Sequence, residues 1–163
     1  MSQSDWEEGG SRGLSDGSDC FSVTVALILF NRPEQTAGVW RAVRQLQPKQ
    51  LFVIADGPRP QSPTDPERCR RARAATATVD WECQVERLYA DANLGCRTRV
   101  ITGLDAVFRR VSQAIVLEDD CLVERPFFDV CATLLSRYGP DSRVWSICGS
   151  PHVPAHPSII NRY

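Results

Sequence analysis

The sequence predicts an α/β fold, a Rossmann-like sandwich with a mostly parallel sheet. Three observations carry that expectation. Apolar, β-branched runs alternate with segments of helical period from Cys20 onward. The first run, VTVALILF, is continuously apolar, as in a strand buried on both faces of a parallel sheet. The strands end in polar turns, Asn31-Arg32, Asp56-Gly57, Asn93-Leu94-Gly95 and Glu118-Asp119-Asp120, and in open parallel sheets that edge is where ligands gather.

The elements follow in order. Val23–Phe30 reads as the first strand. Asn31 then serves as a helix cap with Glu34 three residues on, and a helix runs to about Gln47 with Thr36, Val39, Trp40, Val43 and Leu46 on its inner face. Leu51–Ala55 is the second strand. A loop with Pro58, Pro60, Pro63 and Pro66 is too interrupted for regular structure. Asp65-Pro66 reads as a cap with proline at the first helical position, opening a helix to about Thr78. Gln84–Tyr89 is the third strand. The next helix keeps an i, i+3, i+4, i+7 spacing through Val100, Ile101, Leu104, Val107, Phe108 and Val111. Ala114–Leu117 is the fourth strand. A helix over about Pro126–Tyr138 turns Phe128, Cys131, Leu134, Leu135 and Tyr138 inward, and Val144–Cys148 is a fifth strand. Such an order implies helices on both faces of the sheet.

Composition narrows the function classes. The chain of 163 residues fits one domain with a real core. A net charge of −1 gives no support to a nucleic-acid or anionic-membrane surface. Residues 1–20 hold five acids against one base and scarcely any apolar content, so a disordered acidic tail of charge −4 is expected there, leaving +3 on the rest. The bases are 18 Arg and one Lys, a bias we attribute to genomic base composition. Seven cysteines, an odd number without C-x-x-C spacing, argue against zinc and read as reduced thiols in a cytoplasmic protein. No membrane segment is expected, because no apolar run approaches the ~20 residues of a span.

The triplet Glu118-Asp119-Asp120 is the most informative feature. Three carboxylates after a buried strand form a dense negative site that calls for a cation. Hard oxygen ligands suit Mg²⁺ or Mn²⁺, ions that commonly arrive with a substrate's phosphates. The plainer alternative is a helix start, where acids are favoured by the dipole. Around the same edge, Asp56 could accept a nucleobase N–H. Asn93 offers a donor and an acceptor to ribose or base, Gly95 permits close backbone approach, and Arg97 could meet phosphate. Taken singly, Asp56-Gly57 and Asn93-x-Gly95 are ordinary turns and Arg97 a solvated charge. Their shared edge favours a nucleotide pocket.

The run strand–Asn-Arg-Pro, strand–Asp-Gly, "DANLGCR" and "VLEDDCLVERPFF" resembles the nucleotide-sugar half of GT-A glycosyltransferases. It is most similar to the bacterial family-2-like enzymes, and its Glu-Asp-Asp also resembles that of the N-acetylglucosaminyltransferase I group. The resemblance covers roughly residues 22–150. It implies that Phe30, Asn31, Arg32 and Asp56 hold the base, and that Asn93, Gly95 and Arg97 line the nucleotide. Glu118 and Asp119 would face ribose or sugar, with Asp120 ligating Mn²⁺ or Mg²⁺. Phe127-Phe128 match the pattern but read as core.

The expected organisation is thus an acidic tail (1–20), a nucleotide-sugar-binding domain (21–150) and the start of a truncated acceptor region (151–163). In the similar enzymes an acceptor half follows, and in inverting members it supplies the catalytic base; His152 and His156 read as exposed and idle here. The expected activity is transfer of a sugar from a nucleotide diphosphate donor, UDP-linked most of all, to a hydroxyl acceptor. The rival is a non-catalytic nucleotide-sugar-binding fragment, or a subunit completed by a partner chain or a second copy. A phosphoacceptor receiver-like domain fits poorly, since Lys49, the only lysine, precedes the second strand.

Overall fold

The computed structural model describes residues 21–149. The acidic segment 1–20 and the segment 151–163, with His152 and His156, lie outside the described residues.

Strand β1 (Val25–Leu29) is the centre of the fold, with Val25, Ala26 and Leu27 wholly buried. Helix α1 (Pro33–Leu46) starts at a proline, whose missing N–H costs nothing in the first turn. Thr36, Val39, Trp40, Val43 and Leu46 are its buried stripe, as the spacing predicts. Its cap position is Arg32, without a side-chain cap bond. Asn31 does not cap: its amide donates to Asp65 Oδ1 at 2.8 Å, a partner 34 residues away that periodicity does not reveal. The helix ends at Gln47 in the left-handed region (φ 53), whose N–H returns to the Val43 carbonyl.

Strand β2 (Gln50–Ala55) leads through the proline loop to helix α2 (Asp65–Ala75). Asp65 is the first residue of α2 rather than its cap, and its carboxylate turns back to the loop. Strand β3 (Gln84–Tyr89), helix α3 (Cys96–Phe108), strand β4 (Ile115–Glu118) and helix α4 (Arg125–Tyr138) complete the order. The four strands form an all-parallel sheet in the order β3-β2-β1-β4, with Leu27 opposite both Val53 and Leu117.

Alternation along the strands divides the core in two. Val25, Leu27, Leu29, Leu51, Val53, Ala55, Ile115 and Leu117 face α1, α2 and α4. Ala26, Phe52 and Ile54 face α3. Phe128 of α4 is buried edge-on against Phe21 and Phe127, which places the Phe127-Phe128 pair in the core as expected.

Two sequence expectations are corrected. Ile101 and Phe108 are about half exposed, and the buried stripe of α3 is Arg99, Gly103 and Val107. Gly103 explains the rotation: a Cβ there would stand 2.6 Å from Ile54 Cγ2, so the helix backbone rests directly on β2. The expected fifth strand, Val144–Cys148, is not a strand, and Trp145 is 98% exposed. Topology gives the reason. Helix α4 lies on the α1 face, while β4 lies on the side of β1 opposite β2. A parallel strand outside β4 would therefore reverse the hand of the β1–α1–β2 crossover, a connection parallel sheets almost never make.

Gly103→Ala is expected to destabilise the protein by up to about 2 kcal/mol in urea unfolding, because overpacking against Ile54 costs about 1–3 kcal/mol and the helix-propensity gain returns only ~1 kcal/mol of it.

Candidate functional site

Chain direction across the sheet reverses between β1 and β4: β2 and β3 were added on one side of β1, β4 on the other. The loops leaving β1 and β4 both lead to helices on one face of the sheet, α1 and α4, while the loop leaving β3 leads to α3 on the other, and the crevice along this carboxyl edge is where open α/β sheets bind ligands. Phe30, Asn31 and Arg32 leave β1 there; Glu118, Asp119 and Asp120 leave β4.

The two loops are tied together. The Phe30 N–H donates to Asp119 Oδ2 at 3.1 Å, and Arg32 Nη1 reaches Asp119 Oδ1 at 3.4 Å and Asp120 Oδ2 at 2.5 Å. Asp119 is buried, and burial raises its carboxyl above the usual range despite the opposing Phe30 N–H and Arg32 charge. Asp120 is half exposed. Glu118 ends β4; its backbone carbonyl accepts from the Cys121 N–H, and its exposed carboxylate makes no hydrogen bond or ion pair among the described residues. The triplet thus divides into a buried anchor, Asp119, and two accessible acids.

A second cluster forms where β2 and β3 end. Asp56 is buried, and its carboxylate accepts from the Gly57 N–H (2.9 Å), Asn93 Nδ2 (2.9 Å), the Leu94 N–H (2.9 Å) and the Gly95 N–H (3.1 Å). Four donors occupy this carboxylate, so in this structure Asp56 organises the turn rather than offering itself to a base. Asn93 spends its amide NH₂ on Asp56 and the Gly57 carbonyl, leaving its carbonyl oxygen without a protein partner. Gly95 stands at the cap of α3 with φ 80 and ψ 152, a region open essentially to glycine alone. Around it there is open space, so the constraint is conformational rather than steric. Arg97, in the first turn of α3, is exposed and makes no hydrogen bond or ion pair among the described residues.

Asn31 belongs to neither cluster. Together with Arg59 it closes a clasp around Asp65, which is almost fully buried. Arg59 donates through Nε at 2.6 Å and Nη2 at 3.0 Å, and its guanidinium lies over the Phe30 ring. These bonds, the Arg59 guanidinium foremost, hold the Asp65 carboxyl far below the usual carboxylate range.

Sequence reasoning missed Asp65, Arg59 and two further arginines. Arg73 donates to the Asp56 and Ala90 carbonyls and lies over the Tyr89 ring. Arg99, buried under α3, donates to the Leu88 carbonyl, and burial lowers its pKa. The Nε atoms of both are buried without a partner. The available signal was positional: Arg99 falls four residues before Gly103 and eight before Val107, in register with the packed face of α3.

A divalent ion fits this donor set in one way. Among the described residues no three His, Cys, Asp or Glu side chains are grouped to cage a metal. Asp120, supported by Asp119, provides hard carboxylate oxygen, which suits Mg²⁺ or Mn²⁺ completing its shell from water and phosphate. Shallow surface hollows lie between α1 and α2 and beside Ser22–Thr24, away from this edge. Cys69 and Cys131 are thiols whose burial raises their pKa. No helix among the described residues is long and apolar enough to cross a membrane. No family model, curated protein or solved structure matches the chain.

Asp56→Asn replaces two acceptor oxygens with one oxygen and one NH₂ that faces N–H donors. The expected loss is about 1.5–3 kcal/mol, with faster amide exchange at Leu94 and Gly95 read by NMR. Asp65 has a depressed pKa in the folded state, so its contribution is present above the ordinary aspartate range and fades as pH falls below it. Denaturation between pH 7 and pH 2 should therefore show a steeper acid loss for the native chain than for Asp65→Asn.

Proposed function

We propose that this chain binds a nucleotide diphosphate sugar across the carboxyl edge of its sheet and transfers the sugar to a hydroxyl acceptor with the help of Mn²⁺ or Mg²⁺. The observation that carries the reading is the meeting of the Phe30–Arg32 turn with Asp119 and Asp120 across the strand-order reversal. The sequence resemblance to GT-A glycosyltransferases implies the same role for these segments and so supports the reading.

The residues divide the work by what they have left to offer. Asp56 holds the Asn93–Gly95 turn, so the Asn93 carbonyl oxygen is the group available to a base or ribose. Phe30, stacked under Arg59, presents a flat apolar wall beside the β1 turn. Arg97 and Arg32 are the cations in reach of an anionic diphosphate, and Glu118 and Asp119 border the sugar side. Asp120 would hold the ion, which, when bound, supplies positive charge to the leaving diphosphate. In the transfer, the acceptor oxygen bonds to the anomeric carbon and its proton departs to base. The nucleotide diphosphate leaves with the bonding pair.

Calorimetric titration of UDP should show binding that depends on Mn²⁺ and weakens at least about tenfold in Asp120→Ala. A folded native chain that binds none of UDP, GDP or dTDP with Mn²⁺ present would sink the proposal. Metal-dependent release of nucleotide from the donor separates an enzyme from a non-catalytic binder.

A further inference from the structure

Arg32 sits at the cap of α1, where the positive end of the helix dipole makes a cation unwelcome. Its guanidinium instead reaches across to β4, and one nitrogen, Nη1, serves both Asp119 and Asp120. Asp119 is the fixed half of this arrangement, buried and anchored by the Phe30 N–H. The other half is loose: Arg32 and Asp120 are 48% and 49% exposed, and ion pairs at that exposure are weak. Of the other cations against the Phe30–Arg32 turn, Arg59 is committed to Asp65 and Arg68 donates to the Asn31 carbonyl, and Glu118 brings another negative charge to the end of β4.

We infer that Arg32 is the resident counter-cation of the Asp119–Asp120 pair and that a divalent ion must displace it to bind. The inference rests on the reading of Asp120 as the ion's ligand. A guanidinium and a dication cannot share Asp120 Oδ2 without strong like-charge repulsion. The displaced Arg32 then stands on the rim of the crevice as an unpaired fork of N–H donors, the geometry that pairs with phosphate oxygens. Ion and nucleotide diphosphate therefore bind cooperatively: the ion frees Arg32, and the diphosphate gives Arg32 a new anion. The coupling is reciprocal, so each tightens the other by the same factor.

The test is Mn²⁺ titration of the full chain, with free ion read by electron paramagnetic resonance, for the native protein, Arg32→Gln, Arg32→Lys and Asp120→Asn. Arg32→Gln is expected to bind Mn²⁺ alone about two- to fivefold more tightly than the native chain, on the scale of an exposed ion pair. Arg32→Lys, which keeps the charge, should stay close to native, and Asp120→Asn should lose the ion. Adding UDP should tighten Mn²⁺ binding more in the native chain than in Arg32→Gln. A folded Arg32→Gln that binds Mn²⁺ no better than native overturns the inference, as does a native chain and variant that both ignore the ion. In the native chain, Mg²⁺ should also shift the NMR signal of the Arg32 guanidinium; a signal unmoved at saturating ion overturns the inference even where a variant does not fold. If the Mn²⁺ results come out as expected but UDP, GDP and dTDP all fail to bind, the counter-cation stands and the donor reading falls.

Discussion

The hydrogen bond from the Phe30 N–H to Asp119 extends the β1–β4 pairing past the ends of the two strands, at the point where strand order reverses. Parallel sheets satisfy their backbone groups strand to strand, but beyond the last paired residues of β1 and β4 the loops leave polar groups at the end of a buried core. Asp119 meets that need from β4, and burial raises its pKa as the cost of being there. Every other feature of the crevice builds on this tie. It fixes the start of the Phe30–Arg32 turn, sets Asp120 one residue further out into solvent, and brings Arg32 within reach of both acids.

The carboxyl edge as a whole follows one rule: a buried carboxylate appears where a loop must be given shape. Asp56 gathers four donors and shapes the turn before α3; Asp65 gathers Arg59 and Asn31 and shapes the proline loop. Both loops would otherwise be costly to order, since neither belongs to a helix or strand. Charge-assisted bonds to backbone N–H groups are strong enough for that task where apolar contacts are few. The consequence for function is that the acids conspicuous in the sequence divide: Asp56 and Asp119 are occupied in holding loops, and only the rest of the triplet is open to a ligand. Availability falls to Asp120, Glu118, Arg97 and the Asn93 carbonyl oxygen.

Much of the fold was legible because its signals are local. The apolar runs at Val25–Leu29 and Gln50–Ala55 and the stripe Thr36–Val39–Trp40–Val43–Leu46 follow from period alone. Four strand-end turns pointed to one edge, and the parallel sheet gathers them there. What escaped is non-local. Asn31 has the composition of a cap, but a better partner, Asp65, comes from 34 residues on. The inner face of α3 was displaced by one position because Gly103 lets the helix backbone approach Ile54, and apolar period cannot register a glycine as a contact. Val144–Cys148 has strand-like residues, yet which face α4 covers decides whether a strand can follow it, and handedness is a property of the whole sheet. Arg73 and Arg99, with their buried Nε atoms, were hidden among 18 arginines that look alike in text.

The division between Asp119 and Asp120 bears on the cation site proposed above. A pair of adjacent acids that were both buried would be driven toward protonation, and a pair both exposed would hold an ion no better than solvent does. One buried acid, fixed by a backbone N–H, supplies a charge that cannot move or be screened by water. One exposed acid supplies a ligand that can turn. Arg32 satisfies both in the absence of another cation, from a position where its own helix opposes its charge. Such a cation is held by the acids more than by its own surroundings, and it is the natural group to give way when a dication arrives with phosphate.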